Sequence, residues 1–369
     1  MRGGPLLSMA SLMALMVGLV ACTSPEAERT RGGGPGGRYW ESQPNRGNAR
    51  GRSPLLPDTM RDYTRSMHRT FARFWDTEIR PRFDAIAQQN PGWELWLTLL
   101  EATLREMGEP AWAAAVPTPQ TDRPAGVPLL AGAVVTLDAR AAHRWLQRLL
   151  GLVRRDSAGG ISRTTAAEVR RLDALAFLEA AVSLDEARLL ESAKMIGMDA
   201  ALLGAVAQLA AMPLLQACRR AFEGHASTDW CQGYCPICGA WPAIAELRGL
   251  EGVQRLRCAR CGADWWTTWL RCLYCGELGH QRLGSLVPEA GGETRKVATC
   301  RSCNGYLKTL TTLQASPGYA VALDDVSTID LDIAALERGC TRPQRPGYAL
   351  DLHVRDRPSR LHGLFSRRG

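Results

Sequence analysis

Four short motifs decide the fold of this chain: Cys235-Pro-Ile-Cys238-Gly239, Cys258-Ala-Arg-Cys261-Gly262, Cys272-Leu-Tyr-Cys275-Gly276 and Cys300-Arg-Ser-Cys303-Asn304. Two intervening residues let both sulfur atoms of a pair point at one metal ion. A glycine after the second cysteine lets the chain turn with a positive φ, so that backbone N–H groups approach the thiolates. Asparagine, which replaces glycine in the fourth motif, also tolerates this geometry. Four such knuckles in tandem predict metal binding through thiolates.

The spacing of the knuckles indicates which of them share an ion. Nineteen residues separate the first knuckle from the second, which is within the range of ribbon sites. Twenty-four separate the third from the fourth, which fits a longer turn at 287–293, and only ten separate the second from the third. We therefore predict two four-cysteine sites, each on its own ribbon. The first comprises Cys235, Cys238, Cys258 and Cys261, and the second comprises Cys272, Cys275, Cys300 and Cys303.

Strand-like segments lie between and after the knuckles, as expected for ribbons in which a hairpin joins two knuckles. They are Ala243–Arg248, Gln254–Arg257, Trp265–Trp269, Gln281–Leu286, Thr294–Ala298 and Tyr306–Leu313.

A closed set of four thiolates favours a structural metal or one-electron iron over Lewis-acid catalysis, since no coordination position is open. Tetrahedral four-thiolate coordination accepts iron and zinc alike. Disulfides and thioredoxin-type redox thiols are the alternatives, although thioredoxin motifs occur singly and in a βαβ context. Cys218, Cys231 and Cys340 lie outside the four pairs and are not predicted to be ligands.

Helical periodicity begins near Thr59 and continues to about residue 225. Asp138 is expected to cap one helix, and Thr165-x-x-Glu168 and Ser183-x-x-Glu186 match the capping box that starts two more. The segment Asp199–Phe222 is apolar almost all round, which predicts a central helix kinked at Pro213. The chain contains no G-x-S-x-G, P-loop or dinucleotide-binding motif, so we expect this half to be a scaffold or a binding surface.

The N-terminus carries signals that conflict with a cytoplasmic protein. An apolar stretch, Leu6–Val20, ends in Leu19-Val20-Ala21-Cys22, which resembles a lipoprotein cleavage box and is too short to span a bilayer comfortably. The following segment, Ser24–Pro57, is rich in glycine and arginine and is predicted to be disordered. Translation from Met60 would remove both, and we favour that interpretation because the remainder suits the cytoplasm.

Composition excludes a mainly disordered chain, a collagen-like fibre and a multi-span membrane protein, because 46% of the residues are hydrophobic and 22% charged. The formal charge of +8 comes from 42 arginines and three lysines, and two divalent ions, each held by four thiolates, would lower it to about +4. One group of basic and aromatic residues could contact nucleic acid or form a solvent-exposed ribbon face. It consists of Arg248, Arg255, Arg257, Arg260, Arg271, Trp265, Trp266 and Trp269.

Several longer motifs extend the knuckles: Tyr234-Cys-Pro-Ile-Cys-Gly239, Gln254-Arg-Leu-Arg-Cys258, Arg271-Cys-Leu-Tyr-Cys275, Lys296-Val-Ala-Thr-Cys-Arg-Ser-Cys303, Gly305-Tyr306-Leu307-Lys308 and Ala322-Leu-Asp-Asp-Val326. Together they resemble the formate dehydrogenase accessory protein FdhE family over about Cys231–Leu336. The helical half matches that family in type and position only. Two departures are Asp264-Trp265-Trp266, where the family has an acidic-Trp-His run, and Asn304, where it has glycine.

The resemblance implies an α+β fold, with an N-terminal helical domain, two tandem rubredoxin-like (zinc-ribbon-type) metal-binding β domains and a short C-terminal helix. The expected segments are a signal-like or disordered extension (1–59), the helical domain (60–228), the first ribbon (229–270), the second ribbon (271–314) and a C-terminal tail with the short helix (315–369).

The resemblance also implies a cytoplasmic assembly factor that is not an enzyme. It would bind the catalytic subunit of respiratory formate dehydrogenase before export and hold two iron ions (or zinc), one per four-cysteine site. Neither nucleic acid nor stable membrane association is expected, and the oligomeric state stays open. The alternatives are a nucleic-acid-binding zinc-ribbon protein and a rubredoxin-like electron carrier.

Overall fold

The computed structural model describes residues 75–119, 123–156, 164–227, 229–267, 270–289 and 294–357. They form a mixed α+β structure, which confirms the predicted class. The predictions for residues 1–59, and for a first helix beginning near Thr59, lie outside the described residues. A π-helical turn at Trp75–Ile79 leads into the first of ten helices in the described ranges. These are α1 (Arg80–Gln89), α2 (Glu94–Glu106), α3 (Pro110–Ala113), α4 (Ala139–Asp156), α5 (Ala166–Val169), α6 (Ala174–Ser183), α7 (Glu186–Ile196), α8 (Ala200–Ala221), α9 (Val321–Val326) and α10 (Ile329–Glu337).

Helix α8 is the centre of the bundle, as its continuous apolar sequence predicts. It packs against α2, α3, α4, α6 and α7, and most of its residues are buried. Its Asp199 carboxylate caps the first turn by accepting a hydrogen bond from the Leu202 amide at 2.9 Å. Among the described residues α8 is the one helix long and apolar enough to cross a bilayer, but 89% of its most apolar window is buried inside the protein.

Two of the three predicted helix starts are confirmed, and one is wrong. Asp138 accepts hydrogen bonds from the first turn of α4, and Thr165 and Glu168 form both bonds of a capping box. Ser183 does not start a helix but ends α6, where its hydroxyl donates to the Glu179 carbonyl at 2.7 Å. Asp185 is the cap of α7 instead. Ser183 is still part of α6, and its side chain is turned toward the preceding carbonyls and away from the amides of the following helix.

The two ribbons form one continuous six-stranded sheet. Its strands are β2 (Ile244–Arg248), β3 (Val253–Arg257), β4 (Asp264–Trp266), β5 (Leu283–Leu286), β6 (Arg295–Cys300) and β7 (Tyr306–Thr312), in the order β4-β3-β2-β7-β6-β5. Pairs within each ribbon are antiparallel, and the parallel pair β2–β7 joins the ribbons. Each strand lies near a segment predicted from sequence, although Trp269 is outside the described residues. The ribbons therefore follow one another in sequence but share one sheet.

The C-terminal residues run from the sheet back to the helical bundle and do not form a separate tail. Helices α9 and α10 pack beside the second ribbon, where α10 contacts β6 and β7. The chain then returns to the bundle, where β8 (His353–Asp356) pairs in parallel with β1 (Val134–Leu137). Asp351 accepts a hydrogen bond from the Gly132 amide at 2.6 Å beside this pair. The segment expected to be a tail with one short helix thus contains two helices and a strand that is part of the bundle.

Candidate metal centres

The four knuckles share one backbone design. The amide of the first cysteine donates to the carbonyl five residues later, at 2.8 to 3.1 Å in every knuckle. The residue after the second cysteine has a positive φ in every knuckle, which confirms the conformation predicted from sequence. The φ angles are 71° at Gly239, 75° at Gly262, 77° at Gly276 and 55° at Asn304. These turns bring both cysteines of each knuckle to the same side.

The structure brings the first predicted quartet together as four fully buried thiols. Their sulfur atoms all lie within 4.8 Å of one another, and the nearest pairs are Cys235–Cys261 at 3.4 Å and Cys238–Cys258 at 3.6 Å. Each of the four residues is at most 1% exposed. The Ile237 amide also points at the Cys235 sulfur, at 3.4 Å. Water is excluded from this site.

Burial and mutual contact make the charges of this quartet interdependent. Burial raises the pKa of Cys235 and of Cys261 well above the ordinary thiol value. Hydrogen bonds from the other three thiols hold the pKa of Cys258 well below it. Four thiolates so close together repel one another unless a cation lies between them, so full ionisation of the quartet is coupled to metal binding.

The second predicted quartet has the same geometry but a different environment. Its nearest sulfur pairs are Cys272–Cys303 and Cys275–Cys300, both at 3.7 Å. Cys272 and Cys300 are buried, whereas Cys275 and Cys303 reach the surface. A solvent-exposed sulfur can be reached by a chelator, an oxidant or another protein, so the two sites differ in accessibility although their ligands are the same.

Both quartets fit a tetrahedral metal ion and neither fits a disulfide. A tetrahedron with metal–sulfur bonds of about 2.3 Å has edges of about 3.8 Å, close to the observed sulfur separations. A disulfide bond is only about 2.05 Å long, and all eight cysteines are free. These two groups could therefore each hold one metal ion through all four sulfurs, with no position left for substrate. Cys231 is exposed and is not part of either group.

The bundle holds the first site directly. Backbone amides of Leu129 and Leu130 donate to the carbonyls of Pro236 and Ile237, the two residues between the cysteines of the first knuckle, at 2.8 and 3.1 Å. In the second knuckle, the Arg260 guanidinium donates to carbonyls in the last turn of α6, including that of Ala181 at 2.6 Å. The first quartet therefore lies at the joint between the ribbon and the bundle.

Most of the arginines considered for nucleic-acid contacts bind carboxylates or carbonyls of the protein itself. Arg257 is 2% exposed and donates to the buried Glu246 carboxylate at 2.8 Å. Arg248 and Arg255 both pair with Asp264, and Arg260 binds α6 as described. The alternative of a solvent-exposed ribbon face is also wrong for Arg257 and Arg260, since both are buried. Trp265 is buried and Trp266 is about half exposed, while Trp269 is outside the described residues.

A buried ionic cluster beside the second site was not foreseen. The fully buried Lys308 ammonium lies 2.6 Å from carboxylate oxygens of both Asp325 and Asp332. Arg342 approaches the same carboxylates at 3.2 and 2.8 Å, and the Tyr306 hydroxyl donates to Asp332 at 2.8 Å. Two cations and two anions balance the charge. The sequence signal is a lysine within the otherwise uncharged strand β7, in a chain with only three lysines.

A cleft of about 440 Å³ lies between the helical bundle, the ribbons and the C-terminal segment. Its walls come from α2, α7 and α8 of the bundle, the first ribbon, the third knuckle and the chain after α10. They include Trp96, Leu189 and Met212, Trp241 and Arg260, Tyr274, and Arg342 to Pro346. The lining is mainly apolar, with charged groups supplied by Glu186 of α7, the ribbon and the C-terminal segment.

Comparison with known proteins finds similarity to curated proteins and to solved structures. No family model matches the chain. Proteins named as FdhE homologues are similar to parts of it. The one from Aquifex aeolicus is 30% identical over 120 residues, covering 31% of this chain and 41% of that protein. The one from Stutzerimonas stutzeri is 34% identical over 122 residues, covering 32% of this chain and 39% of that protein. The one from Rhizobium meliloti is 32% identical over 106 residues, covering 27% of this chain and 34% of that protein.

The predicted resemblance to the FdhE family is confirmed. The chain spans about two fifths of the length of the first two relatives that it matches. The crystal structure of the FdhE protein from Pseudomonas aeruginosa is 23% identical in sequence, with a TM-score of 0.46. That match covers 73% of this chain and 93% of the FdhE chain.

Proposed function

We propose that this protein is an accessory protein required for formate dehydrogenase activity and not itself an enzyme. The observation that carries the proposal is the pair of closed four-cysteine groups in a chain similar to FdhE homologues. With four sulfurs committed to each ion, neither site offers a coordination position for a substrate. Metal in such sites organises the ribbons, whose surfaces are then available to a protein client.

The proposed client is the catalytic subunit of respiratory formate dehydrogenase, bound in the cytoplasm during its maturation and before its export. Two groups of four cysteines at metal-ligating distances support this location, because metal binding needs reduced thiols, and the cytoplasm keeps thiols reduced whereas the periplasm favours disulfides. Copurification of the dehydrogenase subunit with the tagged full-length protein tests the partnership. A variant with Cys235→Ser and Cys238→Ser serves as the comparison.

The proposed metal is iron in both sites, or zinc, since both ions accept four thiolates in a tetrahedron. Metal analysis of protein purified without oxygen decides between them. An iron-loaded site shows thiolate-to-iron charge-transfer absorption, which zinc lacks.

A deletion strain tests the function. Loss of the protein should leave the dehydrogenase subunits synthesised, as seen by immunodetection, while formate-linked dye reduction disappears. Other molybdenum enzymes in the same cells should stay active, because the proposed defect is in one client and not in cofactor synthesis. Unchanged formate oxidation in a strain without a paralogue contradicts the proposal.

Complementation of that strain also tests the location. A chain beginning at Met60 should restore formate oxidation, because the proposed client contact needs only the part after the extension. Restoration by the full-length chain alone, together with its lipidation at Cys22, would assign the protein to the membrane surface outside the cytoplasm.

An electron carrier is the second candidate, and the exposure of Cys275 and Cys303 favours it because electron transfer needs an approachable metal. Such a carrier requires a reversible one-electron reduction of the iron-loaded second site, measurable by potentiometric titration. Nucleic-acid binding has less support, since Arg248, Arg255 and Arg257 are paired with carboxylates. Steeply salt-dependent retention on DNA or RNA would favour it.

A further inference from the structure

The chain that follows α10 connects the two metal sites. We call residues 340–348 the strap. At its start, the Thr341 amide donates to the Asn304 carbonyl at 2.7 Å, and at its end the Tyr348 amide donates to the Gly239 carbonyl at 3.0 Å. Asn304 and Gly239 occupy the same position in the fourth and first knuckles, directly after the second cysteine. The strap is therefore attached to one knuckle of each four-cysteine site.

Both acceptor carbonyls belong to residues with a positive φ, and their direction depends on the knuckle turn. The turn is in part held by the ion, because both cysteines of the knuckle must bind it together. Without an ion, the four sulfurs share no common centre, and the two knuckles of the site lose the interaction that draws them together. Metal binding at a site should thus orient the carbonyl of Asn304 or of Gly239 toward the strap amide that donates to it.

Between its two ends the strap packs closely on both ribbons. The Arg345 carbonyl accepts a hydrogen bond from the Trp241 indole N–H at 2.9 Å. Gly347 lies against the Tyr234 ring so closely that a Cβ atom at this position would overlap it. Arg342 enters the buried ionic cluster and binds Asp332 at 2.8 Å. Residues 342–346 also form one wall of the 440 Å³ cleft.

We propose that the strap senses metal occupancy at both four-cysteine sites and closes that wall of the cleft only when both sites are loaded. Loss of either ion weakens the attachment of one end of the strap and leaves the other end attached. The inference is independent of the accessory function, since it concerns the protein's own conformation. A client that contacts this face would then meet a different surface on the loaded and the empty protein.

Hydrogen exchange of the full-length, zinc-loaded protein tests the proposal. A variant with Cys272→Ser and Cys275→Ser should exchange the Thr341 amide about tenfold faster than the wild type, the equivalent of one lost hydrogen bond. The reciprocal variant, Cys235→Ser with Cys238→Ser, should accelerate the Tyr348 amide similarly. Amides of α8 should keep their protection in both. Unchanged strap protection, or an equal loss of protection in α8, would overturn the proposal.

A substitution in the strap tests the same coupling with all eight thiols intact. Thr341→Pro removes the N–H that donates to Asn304, and Thr341→Ala is the matched control that keeps it. If metal in the second quartet stabilises the strap contact, the strap contact must equally stabilise the metal, because such coupling is reciprocal. The proline variant should therefore release zinc from the second quartet to a colorimetric chelator about tenfold faster than the alanine variant. Alkylation of the freed cysteines followed by mass spectrometry identifies the quartet that opens. Equal release from the two variants contradicts the inference.

Discussion

Equivalent glycines in the knuckles face different neighbours, so the same substitution has different consequences. A Cβ atom on Gly262 would overlap the carbonyl oxygen of Gly318, whereas the nearest atom to one on Gly276 is the Arg271 guanidinium at 3.7 Å. Both residues have a positive φ. The left-handed conformation alone costs a non-glycine residue roughly 1–2 kcal/mol.

We therefore expect Gly276→Ala to lower the free energy of unfolding by about 1 kcal/mol. Gly262→Ala should cost clearly more, because the backbone of residues 317–319 must move to admit the methyl group. Urea unfolding of the zinc-loaded proteins followed by circular dichroism measures both. Equal losses of stability for the two variants would mean that the contact with Gly318 adds nothing to the strain of the turn.

Lys308 is the residue on which the buried ionic cluster depends. Lys308→Met should lower the free energy of unfolding by about 3–5 kcal/mol, because it leaves two buried carboxylates opposite one cation. The exposed pair Arg295–Asp330, on the outer side of the same region, supplies the control. Arg295→Met should cost at most about 1 kcal/mol, since an exposed pair is screened by water. Thermal unfolding of the two loaded variants compares them.

The same cluster predicts a pH dependence. Burial opposes ionisation of Asp332, but the positive charges of Arg342 and Lys308 prevail and hold its pKa below the ordinary value. The stabilisation from the ionised carboxylate is therefore fully present above the unfolded-state pKa of about 3.9 and is lost as the pH falls through the lower folded-state value. Lys308→Met should reduce this acid-dependent loss. An unchanged slope of stability against pH in that variant would exclude Asp332 as its source.

At the scale of single elements, helix α7 shows how two neighbouring cap candidates can be distinguished. Asp185 accepts a hydrogen bond from the Arg188 amide at 3.1 Å, while Ser183 bonds backward into α6. Asp185→Ala should lower the free energy of unfolding by about 1 kcal/mol through loss of the cap. Ser183→Ala should cost less, since the α6 backbone bonds remain. A larger loss for the serine variant would reverse the assignment of the cap.

The two ribbons should bind one metal ion each. Cys235→Ser with Cys238→Ser should remove one equivalent of metal and leave the second quartet loaded, as measured by elemental analysis. A chelator should empty the wild type in two phases, with the exposed second quartet first, because Cys275 and Cys303 reach solvent. Loss of both ions from the double variant, or a wild-type stoichiometry near one, contradicts the pairing.

At the scale of the whole molecule, the C-terminal residues connect the sheet to the bundle. Leu350, Leu352 and Val354 are all buried, and β8 pairs with β1 along four residues. A chain ending at Ala349 should lose roughly 5 kcal/mol or more of stability, since burial of each such side chain contributes about 1.5–3 kcal/mol. A chain ending at Arg357 retains β8 and serves as the control. Urea unfolding of the bundle measures both chains. Equal stability of the two would mean that residues 350–357 do not stabilise the bundle.

The parts that could be predicted are those set by residues close together in sequence. The four-cysteine groups follow from the two-residue spacing within each knuckle, which limits where the sulfurs can point. The caps at Asp138 and Thr165 likewise depend on amides two or three residues away. The helix start predicted at Ser183 failed because serine and aspartate two residues apart can both cap, and only the left-handed Leu184 between them decides which does.

The sequence by itself thus determined the two sulfur quartets, the left-handed turns after them, the central helix and the mixed α+β class. Only the tertiary structure decided that the ribbons share a sheet through β2 and β7, that one quartet is fully buried and the other partly exposed, and that Arg257 and Arg260 point inward. The physical reason is distance along the chain. The Ile244–Lys308 pairing and the contact of Arg260 with Ala181 join residues more than sixty positions apart, and no local spacing or periodicity encodes such contacts.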